Sequence, residues 1–179
     1  MSRKVEVTSY RPQWREQFLQ EKKRLETVFQ GTNAVIHHIG STSVEGLAAK
    51  PIIDFLIETP DIGAADDRTG ELEALGYTGK GENGIAGRRF FIYENREGDR
   101  LYHVHIYALG SKEIERHLVL RDYLRAVKDE AEKYGRLKSE LAAKYPNDIE
   151  AYIEGKNEFV QGLESRALKW RHQKATFPF

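Results

Sequence analysis

Between His38 and Asp54 the chain reads His-Ile-Gly-Ser-Thr-Ser-Val-Glu-Gly-Leu-Ala-Ala-Lys-Pro-Ile-Ile-Asp, and this stretch constrains the fold more than any other. A β-branched run, residues 34–39, closes on Gly40 and Ser41. After a loop rich in small and hydroxyl residues, a second strand follows at 51–58, apolar on both faces except for Asp54. A lone carboxylate among apolar neighbours needs a cation, a metal or a firm hydrogen-bond partner, because an unpaired buried charge is costly. The turn offers complementary chemistry. Glycine lets the backbone approach a bound group closely, and successive N–H groups beside a hydroxyl can cradle a phosphate. The P-loop pattern is absent, since Gly46 is not followed by Lys-Ser or Lys-Thr. The residues also allow a plainer arrangement, a Gly/Ser turn with Asp54 bonded to nearby backbone.

The rest of the chain supplies the surroundings of this unit. Residues 5–10 form a short strand or an extended lead-in, and Pro12 starts a helix whose apolar stripe is Trp14, Phe18, Leu25 and Phe29. Gly31 and Asn33 end it. Thr59-Pro60-Asp61 starts a helix that reaches Leu75, with Gly76 as its stop, before a loop punctuated by Gly79, Gly81, Gly84 and Gly87. Residues 88–94 and 100–109 read as a hairpin. Ser111 caps a helix running to about Val127, with Ile114, Leu118, Leu120 or Arg121, and Leu124 inward. A further helix spans 130–145 and stops at Pro146, and Asp148 caps a last one through Trp170. The order predicts a single α+β domain over 1–179, a small mixed sheet with helices on one side and a helical C-terminal third.

His103 and His105 flank Val104 in the second hairpin strand, so alternation puts both imidazoles on one face, roughly 7 Å apart along the strand. With Asp54 on a neighbouring strand they make a candidate His/His/Asp metal site or a hydrogen-bonded cluster. His38 is a candidate further member of the pocket, and His37 points to the opposite face. His117 and His172 read as surface residues. Alternation lets only one of Arg88 and Arg89 face the working side. Arg89 and Arg121 are the candidate phosphate forks, and Arg125 reads as an ion-pairing residue.

Charge and composition narrow the partners. Lys+Arg and Asp+Glu are both 28, so bulk nucleic-acid or acidic-membrane binding is not expected, while a local phosphate pocket stays open. There is no cysteine, hence no disulfide framework and no thiolate metal site. No apolar run is long enough to span a bilayer, and the segment from Met1 to Glu6 lacks a hydrophobic signal core. A cytoplasmic protein is expected.

The stretch from His38 to Asp54, with Tyr10, Pro12, Trp14, His103, His105, the run Arg121 to Arg125, Tyr134 and Lys138, resembles the GrpB family over residues 5–165. That is a poorly characterised bacterial family of nucleotidyltransferase-like fold, and the resemblance implies that fold here. In the wider superfamily the Gly-Ser turn precedes a strand bearing two alternating carboxylates, and a neighbouring strand carries a third. On that pattern Asp54 takes the second position, Ile52 the first, and the third strand holds His103 and His105. Two-metal transfer uses carboxylates to hold hard Mg²⁺ ions, and Ile52 cannot ligate. Histidine suits a single borderline divalent metal such as Zn²⁺ or Mn²⁺, or direct anion binding by imidazolium. The resemblance thus implies a protein that binds a nucleotide or other phosphorylated small molecule at Gly40, Ser41 and Thr42, with Lys50, Arg89 and Arg121 toward the phosphate. Two further readings are a non-catalytic nucleotide-binding or accessory module, and a single-metal hydrolase-like enzyme built on Asp54, His103 and His105.

Overall fold

The computed structural model describes residues 3–176, and the reading of Met1 and Ser2 lies outside the described residues. In chain order the elements are α1 (Gln13–Val28), β1 (Val35–Ile39), a single 3₁₀ turn (Ser41–Ser43), β2 (Ile53–Thr59), α2 (Ile62–Asp66), α3 (Thr69–Ala74), β3 (Tyr77–Gly79), β4 (Arg89–Glu94), β5 (Arg100–Ala108), α4 (Lys112–Ala126), α5 (Lys128–Lys144) and α6 (Ile149–Thr176). The strands form one mixed sheet in the order β1-β2-β5-β4-β3. β1 pairs antiparallel with β2, β2 parallel with β5, and the expected hairpin of β4 and β5 antiparallel. The parallel pair sets Asp54 level with His103.

Alternation sorts the sheet into two faces. Phe55, Ile57, Phe91, Val104 and Ile106 point to one side, where α1 buries Trp14, Phe18 and Leu25 against them and α2 and α3 add Ala65 and Leu72. Each large side chain fully buried there contributes about 1.5–3 kcal/mol relative to exposure. Glu21 of α1 is buried in this layer, accepting from the Tyr77 hydroxyl at 2.8 Å and from Arg24 at 3.0 Å, which ties β3 to α1. On the second face, Ile114 and Leu118 of α4 cover Ile39, Leu56 and Tyr107. The end of the sheet bearing Asp54 stays partly open. The three C-terminal helices pack round Val44 and Leu47, so the loop after the 3₁₀ turn is seated on the helical third.

Local signals set several boundaries. Ser111 Oγ accepts from the Glu113 N–H at 3.2 Å and Asp148 Oδ1 from the Ala151 N–H at 3.1 Å, both caps as expected. The inward side of α4 is shifted from the expected stripe, with Ile114, Val119, Tyr123 and Leu124 buried. The expected single helix to Leu75 is instead two short ones, broken at Asp67 and Arg68. Gly63 and Gly70 weaken helix propagation there, and Asp61 caps only the first piece, accepting from the Gly63 N–H at 2.9 Å. β3, read as the start of a loop, pairs with β4 at the sheet edge. No helix among the described residues is long and apolar enough to cross a membrane.

Candidate functional site

β1 ends at Ile39, and Gly40 turns the chain with φ 74° and ψ −175°, a conformation open essentially only to glycine. The absent side chain matters as much as the backbone angle, because a Cβ on Gly40 would lie 2.7 Å from Asp54 Oδ2. The turn is braced from behind. Arg121 Nη1 donates to the His38 carbonyl at 3.2 Å, and Arg125 Nε to the Ser43 carbonyl at 2.9 Å. Arg121 therefore holds the backbone that carries the pocket, and Arg125 does the same in place of its expected ion pairing.

Asp54 meets both histidines through one oxygen. Its Oδ1 is 3.2 Å from His105 Nε2 and 3.5 Å from His103 Nδ1. Arg88 Nη1 lies 3.4 Å from His105 Nδ1. A guanidinium can only donate, so it fixes Nδ1 as the acceptor and leaves Nε2–H for Asp54. Burial pushes the Asp54 carboxyl up, but the hydrogen bonds from His103 and His105 outweigh it and hold the carboxyl well below the usual range. The convergence expected of these three residues is thus present.

Beside the cluster lies a pocket of about 220 Å³. Ser41, Lys50, Lys138, Tyr152 and Lys156 line it with Asp54. Lys138 reaches it because it lies on the inward stripe of α5 with Ala131, Tyr134 and Gly135. Lys138 is buried, donates to Ser41 Oγ at 2.7 Å and lies 4.4 Å from the centre of the Tyr134 ring. Burial, with Lys156 and Lys50 nearby, pushes its pKa well down. The same combination, burial first and then Lys156 and Arg3, lowers Lys50 to about 8. Tyr152 sits between two ammonium groups, 5.1 Å from Lys50 Nζ and 5.3 Å from Lys156 Nζ, and its buried hydroxyl has no hydrogen-bond partner. Sharing Lys50 and Ile52, a larger cavity of about 860 Å³ adjoins, with Arg3, Arg11 and Arg100 on its walls.

Other expected members lie elsewhere. His38 is directly opposite Phe55, so it faces α1, where it stacks on Phe18 at 4.5 Å between ring centres. His37, expected to face away, is on the Asp54 side and 3.5 Å from Glu58. Thr42 lines the pocket, but its hydroxyl is taken by His38 Nε2 at 2.9 Å. Arg89 is opposite Ile106, on the α2 face, and is paired with Asp66 at 2.7 Å. Arg88 is the arginine that reaches the cluster. His117 is not a free surface ring; it packs 5.7 Å from His105, and burial followed by Arg116 lowers it to about 3. The sequence reading missed Lys138, Lys156 and Tyr152 as site residues.

The family model for the GrpB protein matches residues 4–166. The chain belongs to the GrpB family. The crystal structure of conserved protein GrpB from Enterococcus faecalis superposes with a TM-score of 0.88 at 42% identity, covering 93% of this chain and 99% of that one. UPF0157 protein YqkA from Bacillus subtilis is 49% identical over 94% of the chain. The chain spans about half of YqkA, 49% of its length. Beyond GrpB proteins, the Cid1 poly(U) polymerase with MgGTP bound shares the fold at a TM-score of 0.53 and 16% identity, over 76% of this chain and 44% of Cid1. This GrpB chain therefore has a nucleotidyltransferase-like fold.

The donor set does not fit the Mg²⁺ centre that such a fold implies. Ile52, just before β2, and Asp54 within it line the pocket, and His103 stands beside Asp54 from β5. Hard divalent ions need several oxygen ligands, and here Asp54 is the one carboxylate lining the pocket, beside the hydrocarbon of Ile52 and the imidazole of His103. Among the described residues, no group of three or more His, Cys, Asp and Glu side chains is arranged to hold a metal ion.

Proposed function

We propose that this chain binds a nucleotide or another phosphorylated small molecule, with the phosphate in the pocket formed by Ser41, Lys50, Lys138, Tyr152 and Lys156. One observation carries the reading: hydrogen-bond donors from the turn, the loop, α5 and α6 converge on a single small cavity. Ammonium groups have no acceptor capacity, and like charges gathered in a half-buried space repel one another until an anion joins them. Phosphate oxygens are the matching partner, and charge-assisted bonds of this kind are roughly twice as strong as neutral ones. Gly40 brings the backbone against Asp54 and so fixes the position of Ser41. The reading sets the protein in the cytoplasm, the compartment that holds nucleoside polyphosphates.

A binding or accessory role is favoured over metal-dependent transfer, because Asp54 is the one carboxylate lining the pocket and the superfamily resemblance assigns Ile52 to a carboxylate position. Asp54 with its two imidazoles is a hydrogen-bonded cluster at the pocket's inner edge. A thermal-shift screen of nucleotides and phosphorylated metabolites, each with and without divalent cations, tests the reading. A ligand that binds only the folded chain raises its melting temperature by mass action. Phosphorylated compounds are expected to raise it while their dephosphorylated counterparts do not. Equal shifts for both members of every such pair, or no shift for any phosphate, would remove the phosphate pocket. A shift with Zn²⁺ or Mn²⁺ alone, lost on replacing His103 or His105, would favour the single-metal hydrolase reading.

A further inference from the structure

Mg²⁺ accompanies nucleotides on this fold, as in the MgGTP complex of Cid1. The ion neutralises phosphate charge and is itself held by protein carboxylates. In this chain both halves of that arrangement are altered. On the acid side, Asp54 is the one carboxylate among the pocket residues, and its Oδ1 is already shared by His103 and His105. Ile52 adds only hydrocarbon. On the cation side, three lysines, Lys50, Lys138 and Lys156, line the same cavity. Tyr152, fully buried, forms part of the wall beside them. The ring of Tyr152 lies against Lys50 and Lys156, 5.1 and 5.3 Å from their Nζ atoms, and so packs the two amino groups at the cavity wall.

We infer that this pocket takes the polyphosphate portion of its ligand as the metal-free anion, with Lys50, Lys138 and Lys156 occupying the charge-neutralising role of Mg²⁺. The inference rests on the phosphate-binding reading above and adds the ionic form of the ligand. Two consequences follow. Mg²⁺ in solution competes with the protein, because it lowers the charge of the polyphosphate that the lysines recognise. Nothing on the protein gains from the ion's presence, because Ile52 and the imidazole-bound Asp54 offer it no set of oxygens. The length of the anion is bounded by the cavity, about 220 Å³, and the rest of a larger ligand has the adjoining arginine-walled cavity.

The test is calorimetric titration of the full chain with inorganic tripolyphosphate, once in EDTA and once in excess Mg²⁺. Affinity is expected to be at least about tenfold higher in EDTA. Lys156→Gln is expected to weaken binding in EDTA by roughly tenfold with an unchanged melting temperature, since this lysine is only partly buried and is not needed by the core. Equal or tighter binding in Mg²⁺ overturns the inference and leaves the phosphate pocket standing. Unchanged binding by Lys156→Gln overturns the lysine assignment. Failure of tripolyphosphate to bind in either medium overturns the inference; if the screen also finds no phosphorylated ligand, the phosphate-binding reading falls with it.

Discussion

Gly40 and Asp54 are in contact across the β1–β2 connection so tightly that a single added methyl would come within 2.7 Å of a carboxylate oxygen. The carboxylate cannot retreat freely, because its other oxygen is engaged by His105 at 3.2 Å. Gly40→Ala therefore meets two penalties, a backbone conformation unsuited to alanine and a steric clash. We expect a loss of about 2–4 kcal/mol. Gly46→Ala is the control, since Gly46 also has a positive φ, 85°, but nothing within 4 Å of its would-be Cβ. Its cost should be about 1–2 kcal/mol. Urea unfolding of both variants checks this; equal costs would show that the Asp54 contact is without consequence.

Ser41 and Thr42 are adjacent hydroxyls with different duties. Ser41 Oγ faces Lys138 in the pocket, whereas Thr42 Oγ1 is bonded to His38. Ser41→Ala is expected to weaken phosphate-ligand binding by about 1 kcal/mol, roughly fivefold. Thr42→Val should leave that affinity unchanged and lower stability by about 1–3 kcal/mol through the buried His38 left unpaired. Titration and denaturant melts on both variants separate the two effects. Equal loss of binding would show that both hydroxyls act on the ligand.

Asp54 and His105 should be energetically coupled. Asp54→Ala and His105→Ala each remove one partner of the shared hydrogen bond, and each is expected to destabilise by about 1–3 kcal/mol. The double variant should cost less than the sum of the two by about 1 kcal/mol. A double-mutant cycle by urea unfolding measures this. Simple additivity would mean that the 3.2 Å contact contributes nothing to stability.

Acid should unfold the chain earlier than its carboxylates alone would require. Burial, opposed by Asp54 and reinforced by Arg125 and Arg121, lowers His38 to about 4, and burial with Arg116 lowers His117 to about 3. Both rings take up protons more readily in the unfolded chain, whose histidines titrate near 6.5. Stability is thus complete above about pH 6.5 and falls as pH drops toward 4 for His38 and toward 3 for His117, by at most about 1.4 kcal/mol per pH unit for each ring. Unfolding free energy measured from pH 7 to 4 should decline with that slope, and His117→Gln should flatten it. A flat profile for the unaltered chain over this range would contradict the burial of both rings as neutral species.

The sequence reading and the structure agree where one segment carries its own evidence. The Gly-Ser turn, the lone Asp54 and the alternating pair His103 and His105 are local patterns, and pairing β2 with β5 only had to bring them side by side. Arg88 and Arg89 show where such reading stops. β4 runs Arg-Phe-Phe-Ile-Tyr-Glu, apolar on both faces, so alternation leaves open which of the two arginines points inward. β1 poses the same difficulty with adjacent His37 and His38. Lys138 lies in a highly charged helix, and its place on the buried stripe of Ala131, Tyr134 and Gly135 is what distinguishes it from its solvated neighbours. The three residues of β3 are too few to show any period.

The pocket draws on residues 41, 50, 54, 138, 152 and 156, positions spread over most of the chain. During synthesis, then, the N-terminal half can pair β1 with β2 as it emerges, yet the cavity has no complete wall until α6 has left the ribosome. Chains that lack α6 lack Tyr152 and Lys156, two of the residues that line the cavity. A ligand of the proposed pocket would therefore favour only chains that have added α6, and by mass action would slow proteolysis of those chains alone.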